Sequence, residues 1–394
     1  MAAGFAAYYG ADVKLLEKMH RVGRKLMITG KGRCNLANNC DIDAFMSNTP
    51  VNNKFLYSAI NNFPPQDIIG FFEEQGLKTK TERGNRVFPV SDKASDVVDV
   101  MRRFAIKNGA SIINSEVRAV KAENGAITGV ATNDGFIPAD RVIVATGGVS
   151  YTRTGSTGDG YKFARSLGHT VVAPKPSLVP LESPDNDCRR MQGLSLRNIS
   201  LKITAKSGKT VYEDFGELLF THFGISGPTV LSASCNMRDF SEGYVAHIDL
   251  KPALSPEQLD ARILRDLSEN INRDVSNSLS KLLPRKLIPV ILDRWKISRD
   301  KKCNSVTREE RRALVSLLKD FDVEIIRPRP IEEAIITSGG VKVSEINPKT
   351  MESKLVSGLY FAGEVIDVDA YTGGFNLMIA WSTGRLAGES SAYL

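Results

Sequence analysis

Hydrophobic and polar residues follow two different periods along this chain, and the changes of period predict its organisation. Apolar runs at 141–148 and 359–362 have the length and composition of buried strands. Stretches at 67–74 and 94–107 repeat apolar residues at helical spacing, as amphipathic helices do. The Ala-rich residues 1–9 predict a helix that has no N-cap residue of its own. Strands and helices that alternate in this way are typical of an α/β domain.

The pattern changes after Pro174-Lys-Pro176. Short alternating runs predict an antiparallel β region at 176–253, and helical spacing predicts a helical region at 255–325. Two helix starts in the helical region carry capping-box signatures, at Ser255 and at Thr307. Pro328–Pro330 marks the return to the first pattern. We therefore predict an α/β domain of residues 1–175 and 330–394, interrupted by an inserted β-plus-helical domain of residues 176–329.

Glycines flank the ends of the closing strand and helix. The strand at 359–362 ends in Gly363 and Glu364, and Gly373-Gly374 opens an apolar helix at Phe375. A strand, a glycine turn and a helix N-terminus offer unpaired backbone N–H groups and the positive end of the helix dipole to an anion. Such turns also occur in α/β proteins without a ligand, so this stretch alone leaves both interpretations open.

An acidic residue ends the predicted strand at 13–18. In dinucleotide-binding βαβ units, an acid at the end of the second strand binds the ribose hydroxyls. Glu17 has that position, but the first strand and the G-x-G-x-x-G loop of such a unit do not precede it in this sequence. By itself, the helix–strand pair therefore favours an ordinary exposed glutamate.

The stretch from Gly23 to Asn38 follows at once and is rich in glycine and basic residues. Gly30 and Gly32 allow a backbone to lie against a flat or charged ligand. Four basic side chains in this stretch can neutralise a pyrophosphate: Arg24, Lys25, Lys31 and Arg33. The composition also fits a solvated basic loop or a phosphate contact to nucleic acid. Its position directly after the strand with Glu17 favours cofactor binding.

Four longer motifs carry a resemblance to a known family. They are LLEKMHRVGRKLMITGKGRCNLAN, VIVATGGVSYTRTGSTGDGYKFARSLGH, LLFTHFGISGP and GLYFAGEVIDVDAYTGGFNLMIAWSTGRLAG. In content and order they resemble the BaiN/RdsA-like flavoproteins, also described as aminoacetone-oxidase-like NAD(P)/FAD-dependent oxidoreductases, over nearly the whole chain. Members of that family begin with a strand and a G-G-G-x-x-G loop ahead of the position equivalent to Met1. We therefore expect that this chain starts at a downstream codon and is truncated before that loop.

The resemblance implies an FAD-binding Rossmann-like fold of the two-dinucleotide type, with FAD held non-covalently and NAD(P)H admitted as electron donor. Glu17 would bind the adenosine ribose, and the glycine-rich basic stretch would follow the pyrophosphate and flavin. The ribityl–phosphate portion would lie near Gly363, and the isoalloxazine edge would meet the first turn of the closing helix. The expected cofactor contacts are Glu17, Lys18, Gly23, Arg24, Lys25, Thr29, Gly30, Gly32, Arg33, Cys34, Asn35, Val117, Thr146, Gly147, Gly148, Gly363, Glu364, Asp367, Gly373, Gly374, Phe375, Asn376 and Leu377.

The motifs do not specify the catalytic acid or base. Tyr151 and Arg153 lie in a polar, glycine-rich loop, His222 precedes a helix start at Pro228, and Tyr371 lies in the closing motif. Each is a candidate proton donor or substrate contact, although a lone histidine is more often structural and loop residues often cap helices. The resemblance implies hydride transfer between the flavin and a small organic substrate, either aminoketone-like or enone-like.

Composition indicates the compartment in which the protein works and the classes of partner that it binds. Five cysteines without disulfide or zinc spacing favour a reducing compartment, and no apolar run reaches the length that spans a bilayer. We therefore expect a cytoplasmic protein with neither a metal nor a membrane partner. The net charge of +7 is spread along the chain, so a nucleic-acid partner is not expected. Two alternatives stay open: a Rossmann dehydrogenase that uses NAD(P) alone, and a nucleotide- or RNA-binding protein without enzymatic activity.

Overall fold

The computed structural model describes residues 1–237, 239–241 and 243–393, and the chain divides into two compact units. Unit 1 comprises Met1–Ser177 and Pro330–Leu394, and unit 2 comprises Leu178–Arg329. We predicted that the inserted domain begins at residue 176. The structure moves this boundary by two residues because Pro176 and Ser177 pair with Thr337 and Ile336 in an antiparallel ladder of unit 1.

Unit 1 combines helices with short strands. Its helices are α1 (Ala2–Tyr8), α2 (Arg24–Ile28), α3 (Ile42–Ser47), α4 (Tyr57–Asn62), α5 (Pro65–Glu74), α6 (Ala94–Lys107), α7 (Asp159–Ser166) and α14 (Phe375–Ala392). Its strands are β1 (Lys14–Glu17), β2 (Ala37–Asn38), β3 (Thr79–Glu82), β4 (Arg86–Pro89), β5 (Ser111–Asn114), β6 (Val117–Glu123), β7 (Ala126–Thr132), β8 (Gly135–Pro138), β9 (Val142–Val144), β10 (Val171–Ser177), β18 (Ile336–Val341) and β19 (Leu359–Phe361).

Parallel pairing occurs between strands that are distant in sequence. β1 pairs with β5 and β9 pairs with β19, both in parallel, while β10 and β18 pair antiparallel. Two three-stranded antiparallel sheets, β2–β4–β3 and β6–β7–β8, complete the pairing described in unit 1. The chain passes from one sheet to another between Asn114 and Val117, because Asn114 pairs with Glu17 whereas Val117 pairs with Thr132 in a different sheet. The glycine-rich basic stretch from Gly23 to Asn38, whose composition also fitted a solvated loop, contains the short helix α2.

Helix α14 forms the centre of the unit 1 core. It is buried along most of its length and packs against α1, β2 and β19. A Cβ on Gly388 would lie 2.4 Å from the carbonyl oxygen of Ala2, so this glycine permits the close approach of α1. The indole of Trp381 donates to the carbonyl of Leu36 at 2.9 Å, which fixes α14 to the segment before β2.

Unit 2 is built on one antiparallel sheet. Its strands are β11 (Leu181–Glu182), β12 (Ser195–Ala205), β13 (Thr210–Phe220), β14 (Gly224–Ser226), β15 (Tyr244–Asp249), β16 (Phe321–Ile325) and β17 (Arg327–Pro328), in the order β16–β15–β12–β13–β14–β11–β17. Its helices are α8 (Asn186–Arg190), α9 (Pro228–Ser234), α10 (Pro256–Ser268), α11 (Val275–Ser278), α12 (Ile288–Trp295) and α13 (Arg308–Lys319).

The helical region of unit 2 has the capping predicted from sequence. Both capping boxes are formed, with Ser255 and Gln258 at α10 and Thr307 and Glu310 at α13. Leucine, isoleucine and valine side chains from these helices and from the sheet make a hydrophobic core that belongs to unit 2 alone. Across the residues that the structure describes, no helix has both the length and the apolar character needed to cross a membrane.

Candidate functional site

A network of charged and polar groups around Glu364 joins four segments of unit 1. The Lys25 ammonium in α2 lies 2.6 Å from the Glu364 carboxylate and donates to the Ser150 hydroxyl at 2.7 Å. The backbone N–H of Thr337 in β18 donates to Glu364 at 2.7 Å, and the Thr337 hydroxyl accepts the N–H of Val149 at 2.9 Å. The Ser150 hydroxyl also donates to Glu364, at 3.3 Å, so the carboxylate accepts from Lys25, Ser150 and Thr337, and the network fixes the positions of these segments.

The parallel pairing of β9 and β19 explains how two predicted motifs come together. Because both strands run in the same direction, the turn after β9, with Thr146, and the turn after β19, with Gly363, lie at the same edge. Ligands of open α/β folds bind outside the carboxyl ends of parallel strands. The Glu364 network lies at this edge.

Several glycines of the predicted site accommodate protein atoms. A Cβ on Gly148 would lie 2.3 Å from the Thr337 hydroxyl oxygen, and one on Gly374 would lie 2.5 Å from the carbonyl oxygen of Ala37. In contrast, a Cβ on Gly32 would meet nothing within 4 Å, and one on Gly363 would meet only Ala380, at 3.7 Å. Gly32 therefore faces open space, and a Cβ on Gly363 would make only an ordinary van der Waals contact, so neither glycine is required by a neighbouring protein atom. The remaining expected glycine contacts meet protein atoms closer than 3.3 Å: Gly23, Gly30, Gly147 and Gly373.

The first turn of α14 has the properties expected of an anion or ring-edge site. The first N–H groups of a helix, here those of Phe375, Asn376 and Leu377, have no acceptor within the helix. The Asn376 side chain accepts from the N–H of Ala370 at 3.0 Å and donates to its carbonyl at 2.7 Å. Asn376 thereby shapes the loop that carries Tyr371.

Glu17 and Lys18 follow each other at the end of β1 but have different partners. One Glu17 carboxylate oxygen accepts the N–H of Met19 at 2.9 Å. Lys18 donates to Thr157 and Asp159 in the 151–160 loop. Burial would raise the pKa of Asp159, but hydrogen bonds from Lys18, Thr157 and Lys162 outweigh it and lower this pKa to about 2. The Lys18 ammonium is therefore engaged with an ionised carboxylate of the protein.

The glycine-rich basic stretch contains two arginines in different settings. Arg33 pairs with Glu82 and Asp92, whereas Arg24 is half-buried and forms no ion pair with any residue that the structure describes. Burial raises the pKa of Cys34 to about 12, against the effect of a hydrogen bond with Thr29, so that this side chain is a neutral thiol at pH 7. The Asn35 side-chain oxygen is buried without a hydrogen-bond partner.

These groups fit FAD. The unpartnered Asn35 oxygen is an acceptor for a ring N–H, and Arg24 supplies an uncompensated positive charge for a phosphate. The N–H groups at the start of α14 and the absence of close protein atoms at Gly32 and Gly363 complete the set. Among the other expected contacts, Val117 begins β6, Thr146 is exposed, and the Asp367 carboxylate accepts from Asn52 at 3.0 Å.

The four candidate catalytic residues are divided between the two units. Tyr151 has a left-handed backbone with φ of 50°, which is rare for an aromatic residue, and Arg153 is exposed two residues later. Tyr371 is half-buried in the loop shaped by Asn376. These three residues lie in unit 1, whereas His222 is exposed in unit 2 on the turn between β13 and β14.

Sequence reasoning missed several residues that the site uses. Ser150 and Thr337 bind the Glu364 network, and Glu82 and Asp92 bind Arg33. Tyr161 is also buried beside the network, with its hydroxyl 3.5 Å from the Glu364 carbonyl, and burial raises its pKa above the usual range for tyrosine. The Gly-Gly pair next to Thr337 was the available signal for β18. No local pattern marked Glu82, which lies in an ordinary polar hairpin, or Asp92, which follows it.

Parallel strands that end in glycine turns, and a long helix that begins at the last of these turns, are features of flavin-binding Rossmann-type oxidoreductases, although they also occur in other α/β proteins. The chain matches the model of the HI0933-like protein Rossmann domain over residues 1–390 and belongs to that family. The resemblance seen in the sequence is therefore confirmed for the family, for the α/β Rossmann-type fold and for FAD as the cofactor.

Two curated proteins align with nearly the whole chain. A 3-dehydro-bile acid delta(4,6)-reductase of Clostridium scindens is 31% identical over 388 residues, which cover 97% of this chain and 93% of that protein. A ribosomal RNA dihydrouridine synthase of Escherichia coli is 30% identical over 383 residues, which cover 97% of this chain and 92% of that protein. The solved open conformation of a flavocytochrome c3 fumarate reductase is also similar, with a TM-score of 0.46 and 18% identity over 99% of this chain and 76% of that one.

Proposed function

We propose that the protein is an FAD-dependent reductase of a carbon–carbon double bond conjugated with a carbonyl group. The full-length similarity to two relatives carries this proposal, because both names describe saturation of a ring double bond. In uridine and in a dehydro-3-oxo steroid, that double bond is conjugated with a carbonyl. An enone-like substrate is therefore favoured over an aminoketone, the other substrate class that the family resemblance implied.

FAD bound at this site supplies the hydride chemistry, and the protein supplies binding, orientation and charge. Arg24 and the start of α14 would hold the negatively charged parts of the cofactor. Lys25, which binds both Glu364 and Ser150, would fix α2 to the segments that follow β19 and β9. Water exclusion and fixed geometry are what such a scaffold contributes to hydride transfer.

Conjugate reduction also needs a proton at the carbon next to the carbonyl. We assign this role to Tyr371, because Asn376 holds its loop directly before the glycine pair that opens α14. A tyrosine hydroxyl is a competent general acid when it is placed within hydrogen-bond reach of the substrate. His222, Tyr151 and Arg153 are the alternatives, and NAD(P)H is the proposed electron donor.

The first experiment compares the purified protein, reduced anaerobically with NADH or NADPH, after mixing with a cyclic enone, aminoacetone or a uridine-containing RNA. We expect yellow protein with releasable FAD, and reoxidation by the enone. Tyr371→Phe should slow reoxidation roughly 10²–10⁴-fold with unchanged flavin content. The matched control is Tyr393→Phe, an exposed tyrosine at the end of α14. Aminoacetone as an amine substrate would donate hydride to the oxidised flavin, so it is also mixed anaerobically with the oxidised protein; flavin reduction there, without reoxidation of the reduced protein by the enone, would contradict the proposed substrate class.

A uridine in RNA is a second candidate substrate, favoured by the similarity to the Escherichia coli enzyme. It contains the same conjugated unit, so the chemistry would be shared. Binding to RNA phosphates would make the apparent affinity fall steeply with salt, whereas the reaction with a neutral enone would be insensitive to salt. Reoxidation measured at two salt concentrations therefore separates the two substrates.

A further inference from the structure

Arg33 is surrounded by carboxylates, although the sequence suggested a phosphate ligand. Its Nε donates to Asp92 at 2.7 Å, and both terminal nitrogens donate to Glu82. Lys80 also binds Asp92, at 2.7 Å, so two cations and two anions form a charge-balanced cluster. A guanidinium that is already bound to two carboxylates has no uncompensated charge for a pyrophosphate.

The segment that carries Arg33 has an unusual backbone. Gly30, Lys31 and Gly32 are all left-handed, with φ of 55°, 59° and 84°, and Cys34 is left-handed at 59°. Lys31 and Cys34 are not glycines, so this conformation is costly for them and persists only where the surroundings enforce it. The N–H of Cys34 donates to Thr29 at 3.0 Å and closes the turn from within.

The Arg33 cluster enforces this turn from outside. Its carboxylates belong to the β3–β4 hairpin and to the residues directly after it, which are separate in sequence from the turn. The guanidinium also lies 4.2 Å above the Phe88 ring of β4. That ring is 3.4 Å from the position that a Cβ on Gly30 would occupy, so it supports the same turn.

We propose that Arg33 is a positioning residue, which Glu82 and Asp92 hold so that the left-handed turn 30–34 keeps the shape that receives FAD. The charge for the pyrophosphate then comes from Arg24 and Lys31, which form no ion pair with any described residue. The inference rests on the proposed flavin function where it is tested by FAD affinity. It does not rest on that function where it is tested by trypsin cleavage of the flavin-free protein.

The structural measurement needs no flavin. Trypsin cleaves after lysine and arginine, so cleavage after Lys31 in the flavin-free protein reports on the turn. We expect Glu82→Gln/Asp92→Asn and Arg33→Gln to accelerate this cleavage to the same extent, roughly tenfold or more. Arg86→Gln is the matched control, because Arg86 lies on β4 but its side chain donates, among the described residues, only to the Arg83 carbonyl. Unchanged cleavage in both cluster variants would overturn the proposal.

The affinity measurement separates a positioning residue from a phosphate ligand. If Arg33 positions the turn, the double carboxylate variant and Arg33→Gln should weaken FAD binding about equally, roughly tenfold, and the triple variant should be no weaker. If Arg33 binds phosphate, removing the carboxylates frees it, so FAD would bind as well or better while Arg33→Gln alone binds worse. That second pattern would also overturn the proposal.

Arg33→Lys keeps the positive charge but loses the planar guanidinium, which can bind two carboxylates at once. If Arg33 positions the turn, Arg33→Lys should keep only part of the protection against trypsin and only part of the FAD affinity. If Arg33 binds phosphate, Arg33→Lys should bind FAD almost as tightly as the wild-type protein. If the double variant does not fold, Glu82→Gln alone gives the same comparison with a milder change. If even the wild-type protein binds no FAD, the proposed function fails, and the cleavage rates still decide the role of Arg33.

Discussion

At the scale of single residues, Lys25 matters because its ammonium is bound to two groups that hold the site together. Its side chain and that of Glu364 are 22% and 20% exposed, so neither charge is fully solvated. We expect Lys25→Met to lower stability by about 1–3 kcal/mol, toward the lower end because solvent still screens the pair.

Stability is measured as the urea concentration at the midpoint of unfolding, which should fall for Lys25→Met while the slope of the unfolding free energy against urea stays constant. Lys54→Met is the control, since Lys54 is exposed and forms no ion pair with a described residue; it should change stability by about 0.5 kcal/mol or less. Equal midpoints for the two variants would show that the Lys25–Glu364 pair does not contribute to stability.

His169 is a second residue with a measurable consequence. Its ring is buried and lies 3.1 Å from the Glu345 carboxylate and 2.8 Å from the Ser353 hydroxyl. Burial lowers the pKa of His169 more than the Glu345 carboxylate raises it. The folded protein therefore binds fewer protons here than the unfolded chain, and stability is fully present above the unfolded pKa of 6.5.

As the pH falls through 6.5 toward the lower folded value, this contribution of His169 is lost. We expect the free energy of unfolding to decrease between pH 7 and pH 5, and His169→Gln to flatten that decrease. Urea denaturation at four pH values measures it. His20→Gln is the control, because His20 is exposed and should leave the slope unchanged.

At the scale of elements, the packing of β18 against the turn after β9 depends on Gly148. An added methyl there would lie 2.3 Å from the Thr337 hydroxyl oxygen and 2.6 Å from its Cβ, with no flexible side-chain end to move aside. We expect Gly148→Ala to destabilise by about 1–3 kcal/mol and to disturb the Glu364 network that Thr337 also binds.

Gly70→Ala is the matched variant for Gly148→Ala. Gly70 lies inside α5, and a Cβ there would meet nothing within 4 Å. Alanine has the higher helix propensity, so we expect a gain of about 0.5–1 kcal/mol. Opposite shifts in the thermal midpoints of the two variants are the expected result; a stabilised Gly148→Ala protein would contradict the packing described here.

At the scale of the whole molecule, unit 2 is one continuous segment with its own sheet and core. We expect Leu178–Arg329 expressed alone to fold and to unfold cooperatively, without bound FAD, because a closed core of this size suffices for independent stability. Circular dichroism against temperature measures it. Ile291→Asp, at a fully buried position of α12, is the control that should abolish the transition.

Deleting unit 2 tests whether unit 1 folds and binds FAD without it. Pairing of Ser177 with Ile336 brings the two ends of unit 1 into one ladder, so a short Gly-Ser linker from Ser177 to Pro330 should leave unit 1 folded. The expected FAD contacts all lie in unit 1, and we expect the shortened protein to retain flavin. A folded but colourless product would show that residues of unit 2 are needed for FAD binding.

The sequence by itself determined local structure and the family. Helix α6 has the predicted bounds, and both capping boxes form, because helical spacing and caps depend on neighbours within a few residues. The motif order was sufficient for the family, the fold class and FAD. The glycine positions did not show which of them exclude a side chain: a Cβ on Gly148 would lie 2.3 Å from the Thr337 hydroxyl oxygen, whereas one on Gly32 would meet nothing within 4 Å.

Only the tertiary structure decided the partners of the charged residues. Lys25 and Glu364 are 339 positions apart, and Arg33 is 49 and 59 positions from Glu82 and Asp92. A basic residue next to glycines looks the same in sequence whether it binds a phosphate or a carboxylate. The difference depends on which strands pair in parallel and which hairpin lies beneath the turn, and those contacts exist only after the chain has folded.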